Sequence, residues 1–226
     1  MPTLYILGGA NGVGKTTWYN TALKNGDIDP SLSFINVDNI ILNQFQGNYS
    51  YENDIKAKGI AKERIAELIK NKESFIMEAN LAKTADYDLL NSYRNAGYEI
   101  ELYFLSTNNV EINKGRVLQR VQEGGHDVAP SIIEHRHKIA LTYLKSKILE
   151  FNKATLYDTS QRYPRKMVEL KLGKILYKNQ SLQQWAKETI FIAERLQEKL
   201  IQKKNLGLDQ NENLNEGQKK SHGRRL

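Results

Sequence analysis

The sequence has 226 residues, of which 40% are hydrophobic and 26% charged, as expected for one globular α/β domain with a buried core. It contains no cysteine, which excludes disulfide bonds and thiolate metal sites. Four of the charges behind the net +7 lie between Lys219 and Arg225. We attribute the basicity to a tail and an anion site, and we do not expect nucleic acid as a partner.

The first segment is a short apolar run, Leu4 to Leu7, which predicts a buried strand. No apolar run of the sequence approaches the length of a membrane-spanning helix. Because the chain enters an apolar strand almost at once, we also expect no signal peptide. These observations predict a cytoplasmic protein without membrane attachment.

The strand leads into residues 9–16, GANGVGKT, which fit the phosphate-binding pattern G-x-x-x-x-G-K-[ST]. Glycines allow successive N–H groups to form an anion nest, and a helix starting near Lys15 adds the positive end of its dipole. We expect Lys15 to reach the β- and γ-phosphates of ATP, and Thr16 to hold Mg²⁺. The predicted ATP-binding residues are Gly9, Ala10, Asn11, Gly12, Val13, Gly14, Lys15, Thr16 and Thr17.

Helix and strand patterns alternate along the rest of the chain. Strands are predicted at 33–38, 74–78, 98–107 and 154–158, and helices at 15–25, 54–72, 85–95, 110–122 and 131–152. Two β-rich runs, 167–172 and 174–177, are expected to pair as a hairpin before a last amphipathic helix at 182–200. The sequence from residue 205 is polar and aperiodic, so we assign 1–204 to a P-loop domain and 205–226 to a disordered basic tail.

This alternation predicts an α/β fold with a five-stranded parallel sheet flanked by helices. Ligands of such sheets bind beyond the carboxyl ends of the strands. The glycine loop, Asp38, Glu78 and the segment after Thr107 all lie at predicted strand ends. We therefore expect them to share one rim.

Asp38 and Glu78 are the candidate acids of this rim. Asp38 can act as a general base on a substrate hydroxyl, can orient a water on Mg²⁺, or can cap a helix. Glu78 can bind a substrate hydroxyl, act in the metal shell, or cap the following segment. We group Asn80 with them as substrate-binding residues.

Three arginines are candidates for neutralising charge on a transferring phosphoryl group. Arg116 and Arg120 are four residues apart and so lie on one helical face. The pair Gly124-Gly125 permits a sharp corner, after which a second helix carries Arg136. We interpret residues from about 109 to 150 as a helical lid, although a solvent-exposed helix face would give the same spacing. His126 is interpreted as a polar contact of the lid or a capping residue.

Together, the motifs resemble those of the zeta toxin family of P-loop kinases, in its stand-alone branch. The resemblance runs from about Tyr5 to Ser160 and is carried by GANGVGKTT, FINVDNI, FIMEANL, GYEIELYFLST and RVLQRVQEGGHDV followed by Arg136. It implies that Asp38 is the catalytic base, that Lys15 and Thr16 contact phosphate and magnesium, and that Glu78 is the acid of the substrate pocket. It also implies that Arg120 and Arg136, or alternatively Arg116, are lid arginines.

The same resemblance implies an activity and a partner. Family members phosphorylate a hydroxyl of a UDP-activated amino sugar, and a small helical antitoxin commonly holds them silent. We therefore predict an ATP- and Mg²⁺-dependent kinase acting on a sugar-nucleotide-like alcohol. The alternatives are a nucleic-acid-processing P-loop ATPase or polynucleotide kinase, a nucleotide-operated switch, and a binding protein without catalysis.

Overall fold

A computed structural model describes residues 1–205 of the chain. These residues form seven strands and seven α-helices, with a short 3-10 turn at Ile148–Glu150. The strands are β1 (Thr3–Gly8), β2 (Ser33–Ile35), β3 (Phe75–Ala79), β4 (Glu99–Ser106), β5 (Lys153–Asp158), β6 (Arg165–Lys171) and β7 (Lys174–Lys178). The helices are α1 (Lys15–Asn25), α2 (Val37–Gln44), α3 (Tyr51–Asn71), α4 (Thr84–Asn95), α5 (Val110–Gln122), α6 (Pro130–Lys147) and α7 (Gln184–Asn205).

All seven strands belong to one sheet, in the order β2-β3-β1-β4-β5-β6-β7. The first five in this order are parallel, which confirms the predicted α/β fold with its five-stranded parallel sheet. The predicted hairpin forms as β6 and β7, and it continues the same sheet because β6 pairs antiparallel with β5. The sheet is therefore mixed, with two strands more than the parallel part.

The central strand β1 is buried on both faces, and Leu4, Ile6 and Leu7 are all 0% exposed. Its two faces contribute to two hydrophobic clusters. In the smaller cluster, Trp18 of α1 packs on Tyr103 and Tyr157, with ring centroids 4.9 and 5.3 Å away. These contacts fix α1 against the sheet, so the loop between β1 and α1 starts and ends on buried elements.

The strand predicted at 33–38 is shorter than expected. Strand β2 ends at Ile35, and Asp38 lies in the first turn of α2, a helix that the sequence analysis did not predict. The Asn36 side chain accepts a hydrogen bond from the Asn39 N–H at 3.0 Å and so caps this helix. The prediction that Asp38 ends a strand is wrong, and the capping role belongs to Asn36.

Other element boundaries shift by a few residues. Helix α3 begins at Tyr51, where Ser50 accepts a hydrogen bond from Asn53 N–H and caps it. Helix α6 stops at Lys147 and does not continue to residue 152.

The disordered tail predicted for 205–226 falls almost wholly outside the described residues. Within residues 1–205, no helix combines the length and apolar character needed to cross a bilayer.

Candidate active site

The glycine loop, residues 9–17, adopts a backbone that only glycine accepts easily. Gly9, Gly12 and Gly14 have φ angles of 134°, 77° and 88°, in the region that L side chains rarely occupy. Gly14 is also the N-cap of α1, and no side chain among residues 1–205 caps this end of the helix. The first N–H groups of α1 are therefore available to an anion, in the geometry expected for phosphate binding.

Two of these glycines are also required by close contacts. A Cβ atom at Gly9 would lie 2.3 Å from the carbonyl oxygen of Leu105 in β4. A Cβ atom at Gly12 would lie 2.3 Å from the carbonyl oxygen of Asn113 in α5. The loop thus touches the backbone of the neighbouring strand on one side and of α5 on the other.

Asn113 holds the loop in this position, a role that the sequence analysis missed. Its side chain is 0% exposed and donates from Nδ2 to the carbonyl oxygen of Asn11 at 3.0 Å. Its Oδ1 accepts from the Thr107 hydroxyl at 2.6 Å. A lone asparagine in a helix pattern gives no sequence signal for such a contact, because the contact depends on how α5 crosses the loop.

Lys15 is buried, at 6% exposed, and its ammonium group lies against the loop. It donates to the carbonyl oxygens of Gly9 at 2.7 Å and Ala10 at 3.2 Å. It also donates to Asn80 Oδ1 at 3.3 Å and pairs with Glu78 Oε1 at 3.5 Å. Burial lowers the pKa of Lys15 below its usual value, and the Glu78 carboxylate opposes this shift.

Glu78 joins the loop to the helix that carries Asp38. One carboxylate oxygen pairs with Lys15, and the other accepts a hydrogen bond from Asn36 Nδ2 at 2.6 Å. Asn36 in turn caps α2, so the position of Asp38 depends on this contact. Asn36 is a second residue that the sequence analysis missed, although asparagine is among the residues preferred at helix N-caps.

The Asp38 carboxylate is about half exposed, at 46%, and faces Arg120, whose Nη1 lies 4.0 Å from Asp38 Oδ2. Arg120 also donates from Nη2 to the His126 carbonyl oxygen at 2.6 Å. Gly125 makes this corner possible, because a Cβ atom there would lie 2.6 Å from Arg120 Cγ. The corner predicted at Gly124-Gly125 therefore folds back on Arg120.

The other two predicted arginines contact the loop directly. Arg116 donates to the carbonyl oxygens of Thr159 at 2.7 Å and Gly12 at 3.5 Å. Arg136 of α6 donates to Asn11 Oδ1 at 2.8 Å. Helices α5 and α6 thus bring all three arginines to the loop or to Asp38.

Two cavities lie on either side of these residues. The first, which we call the loop cavity, has a volume of about 410 Å³ and is lined by residues 11–18, Arg116, Arg120 and part of the segment after β5. The second, the neighbouring cavity, has a volume of about 480 Å³ and is bordered by α2, α3, α4 and the start of α6. Asn11, Asp38 and Glu78 line both cavities.

The segment after β5 is organised by Asp158, which is 2% exposed. Its carboxylate accepts hydrogen bonds from Ser160 N–H at 3.0 Å and from Gln183 Nε2 at 3.0 Å, and it pairs with Arg165 at 3.3 Å. The side of the loop cavity that this segment forms contains Thr159, Gln161, Arg162 and Pro164. Asp158 therefore shapes one wall of the cavity without lining it.

The zeta toxin family model matches residues 1–181. An uncharacterized protein of Haemophilus influenzae is 30% identical over 129 residues, which make up 57% of this chain and 88% of that protein.

Among solved structures, a chain of the AvrRxo1-ORF1:AvrRxo1-ORF2 complex has a TM-score of 0.63 at 16% identity, over 84% of this chain and 64% of that chain. The same complex with ATP gives 0.60 at 14% identity, over 86% and 76%. The PezAT toxin-antitoxin system of Streptococcus pneumoniae gives 0.56 at 20% identity, over 89% and 88%. At these identities the likeness shows a shared fold.

The family match extends from β1 through β7, and so it includes the glycine loop, Glu78, Asp38 and the three arginines. It supports an ATP-dependent phosphotransferase, in agreement with the phosphate-binding loop. Because the match covers most of the chain and the whole of the site described above, this protein belongs to the zeta toxin family.

Proposed function

We propose that this protein is an ATP-dependent kinase that transfers the γ-phosphate to a hydroxyl of a small, sugar-nucleotide-like molecule such as UDP-N-acetylglucosamine. The observation that carries the proposal is the pair of cavities that share Asn11, Asp38 and Glu78 in their walls. A transferase needs a donor and an acceptor to meet at one point, and a hydrolase has no such need. The loop cavity suits the donor, and the neighbouring cavity suits the acceptor.

On the donor side, the free N–H groups at the start of α1 and the Lys15 ammonium group would bind the phosphates. When bound, Mg²⁺ would supply neutralisation of the negative charge of the phosphates. The exposed residue Thr16 lines the loop cavity, and its hydroxyl is an oxygen donor of the kind that Mg²⁺ prefers, so Thr16 would hold the ion.

In the transfer step, Asp38 would accept the proton of the acceptor hydroxyl. The hydroxyl oxygen then forms a bond to the γ-phosphorus, while the bond from this phosphorus to the bridging oxygen breaks and ADP leaves. General-base catalysis of this kind contributes about 10²–10⁴ in rate. Glu78 and Asn80, which line the neighbouring cavity, would hold the acceptor through hydrogen bonds.

The three arginines would neutralise the charge that develops on the transferring group. Arg116 and Arg120 line the loop cavity, and Arg136 lines the neighbouring cavity. An arginine in this role contributes about 10³–10⁵ in rate in other phosphoryl transferases. We propose that residues 109–150, which contain α5 and α6, act as a lid that closes over both substrates and excludes water.

Family membership also suggests a protein partner. The PezAT structure is described as a toxin-antitoxin system, and we propose that a small helical antitoxin binds this chain and holds it inactive. Co-purification of the protein with the product of a neighbouring reading frame, followed by an activity assay of the complex, tests this proposal. Full activity in a stable complex would contradict it.

The decisive experiment is incubation of the purified protein with Mg-ATP and a panel of nucleotide sugars, dinucleotides and oligonucleotides. We expect mass spectrometry to show one added phosphate on a nucleotide sugar. Phosphate on the oligonucleotides would instead identify a polynucleotide kinase. Formation of ADP and free phosphate alone would contradict the kinase proposal.

Two variants test the assigned roles. We expect Lys15→Ala to abolish transfer and weaken ATP binding, because the loop loses its cation. We expect Asp38→Asn to abolish transfer while ATP affinity stays nearly unchanged, because the amide cannot accept the proton. Full activity of Asp38→Asn would remove Asp38 from the base role.

A further inference from the structure

Glu78 is one of the protein groups that a phosphate would compete with for the Lys15 ammonium group. The Lys15 ammonium group already has close oxygen partners, namely the carbonyls of Gly9 and Ala10, the Asn80 side chain and the Glu78 carboxylate. The two carbonyls and the Asn80 amide are neutral. Among residues 1–205, Glu78 is the one acidic side chain that forms an ion pair with Lys15 Nζ within 4.0 Å. To bind a phosphate, the ammonium group has to exchange at least part of this set.

The Glu78 carboxylate is held firmly in place. It is 19% exposed, and its second oxygen is bound by Asn36 at 2.6 Å. Asn36 is itself 5% exposed and is fixed by its bond to the N–H of Asn39. A buried ion pair with a fixed geometry interacts more strongly than a surface pair, because water screens it less.

We propose that Glu78 is a positioning residue that restrains Lys15 in the nucleotide-free protein, so that a β- or γ-phosphate must displace this carboxylate in order to bind. The proposal rests on the proposed function, since it takes the loop cavity as the nucleotide site. Glu78 then sets nucleotide affinity through Lys15, in addition to any contact with the acceptor. A ligand that occupies the neighbouring cavity and bonds to Glu78 would weaken the same restraint.

The restraint makes a prediction that depends on the number of phosphates. Lys15 is expected to reach the β- and γ-phosphates and not the α-phosphate. Removing the negative charge with Glu78→Gln should therefore tighten ATP binding by about fivefold or more and leave AMP binding unchanged. Glutamine retains the acceptor for Asn36, so the fold should be preserved. The experiment is calorimetric titration of the full chain with ATP and AMP.

Asp38→Asn is the matched control, because Asp38 also lines both cavities, forms its ion pair with Arg120 and not with Lys15, and acts on the charge of Lys15 less than Glu78 does. If Glu78→Gln tightened ATP binding only because it removed an acid that repels the triphosphate, Asp38→Asn would tighten ATP binding equally, and the proposal would be wrong. Asn80→Ala provides a second test without a change in charge. It removes the 3.3 Å bond to Lys15 and should raise ATP affinity by a smaller factor.

The outcomes separate this inference from the proposed function. ATP affinity that is unchanged or weaker in Glu78→Gln, while the unsubstituted protein binds ATP through Lys15, would overturn the restraint alone. No ATP binding by the unsubstituted protein would overturn both proposals. An increase in affinity that is equal for ATP and AMP would also overturn the restraint, because it would not act through Lys15.

Discussion

Replacing Asn113 by alanine tests whether the base of α5 fixes the shape of the glycine loop. The substitution removes the donor to the Asn11 carbonyl oxygen and the acceptor of the Thr107 hydroxyl. The Thr107 hydroxyl keeps a second acceptor, the Asn109 carbonyl oxygen at 3.0 Å, so its loss is small. The Asn11 carbonyl loses a donor that the fold supplies from a fully buried side chain.

The magnitude follows from these contacts. A lost hydrogen bond costs about 1 kcal/mol, and an unpaired polar group in a buried setting costs about 1–3 kcal/mol. We expect Asn113→Ala to lower the free energy of unfolding by about 2–4 kcal/mol once the small cavity is included. We also expect ATP affinity to fall by about tenfold, because the loop that binds phosphate loses its anchor.

Urea denaturation and titration with ATP measure the two effects. Asn113→Leu separates volume from hydrogen bonding, since it fills the space but cannot bond to the loop. Gln119→Ala is the control on the same helix, because Gln119 is exposed and bonds only to Glu123 among the described residues. Unchanged stability and unchanged ATP affinity in Asn113→Ala would refute the reasoning.

Two further predictions concern a glycine and a tyrosine. Gly12→Ala should abolish nucleotide binding and destabilise the protein in thermal melts by about 1–3 kcal/mol, because φ is +77° and the new Cβ would lie 2.3 Å from the Asn113 carbonyl oxygen. The control is Gly59→Ala in α3, where a Cβ meets open space, and it should be neutral or stabilising. Equal destabilisation by the two substitutions would contradict the loop argument. Burial raises the pKa of Tyr93 to about 12, so the folded protein keeps a proton that the unfolded chain loses near pH 10. Stability should therefore be unaffected below about pH 10 and fall by about 2–3 kcal/mol towards pH 12. In urea melts between pH 9 and 12, Tyr93→Phe should lose about 2–3 kcal/mol less of its free energy of unfolding than the unsubstituted protein does. An equal loss in the two proteins would contradict this prediction. The control is Tyr51→Phe, at an exposed tyrosine.

The sequence predicted the fold well because its strongest signals are local. Apolar runs such as Leu4 to Leu7 and glycines at helix ends mark elements without reference to the rest of the chain. The strand prediction for Ser33 to Asp38 was wrong because it also used local patterns alone. Val37, Ile40 and Ile41 suit a strand as well as a short helix, and the choice is made by Asn36, whose side chain caps α2 and is bound by Glu78.

The site was predicted in part. The glycine loop follows from spacing alone, and the three arginines follow from helix periodicity combined with the family resemblance. The contacts between Arg136 and Asn11, and between Asn113 and the loop, were not predicted. They join residues more than a hundred positions apart, and only the packing of α5 and α6 against the loop brings them together.

The anchoring of α5 has a mechanical consequence for any movement of the proposed lid. Asn113 and Arg116 tie the first two turns of this helix to the loop and to Thr159. A rotation of the whole helix would break these bonds and distort the phosphate site. The proposed closure would therefore bend the chain at the corner after α5, at Gly124 and Gly125, while the start of α5 keeps its position on the loop. In the proposed closure Arg116 would stay at the loop, and α6 with Arg136 would move without changing the shape of the surface that holds the nucleotide.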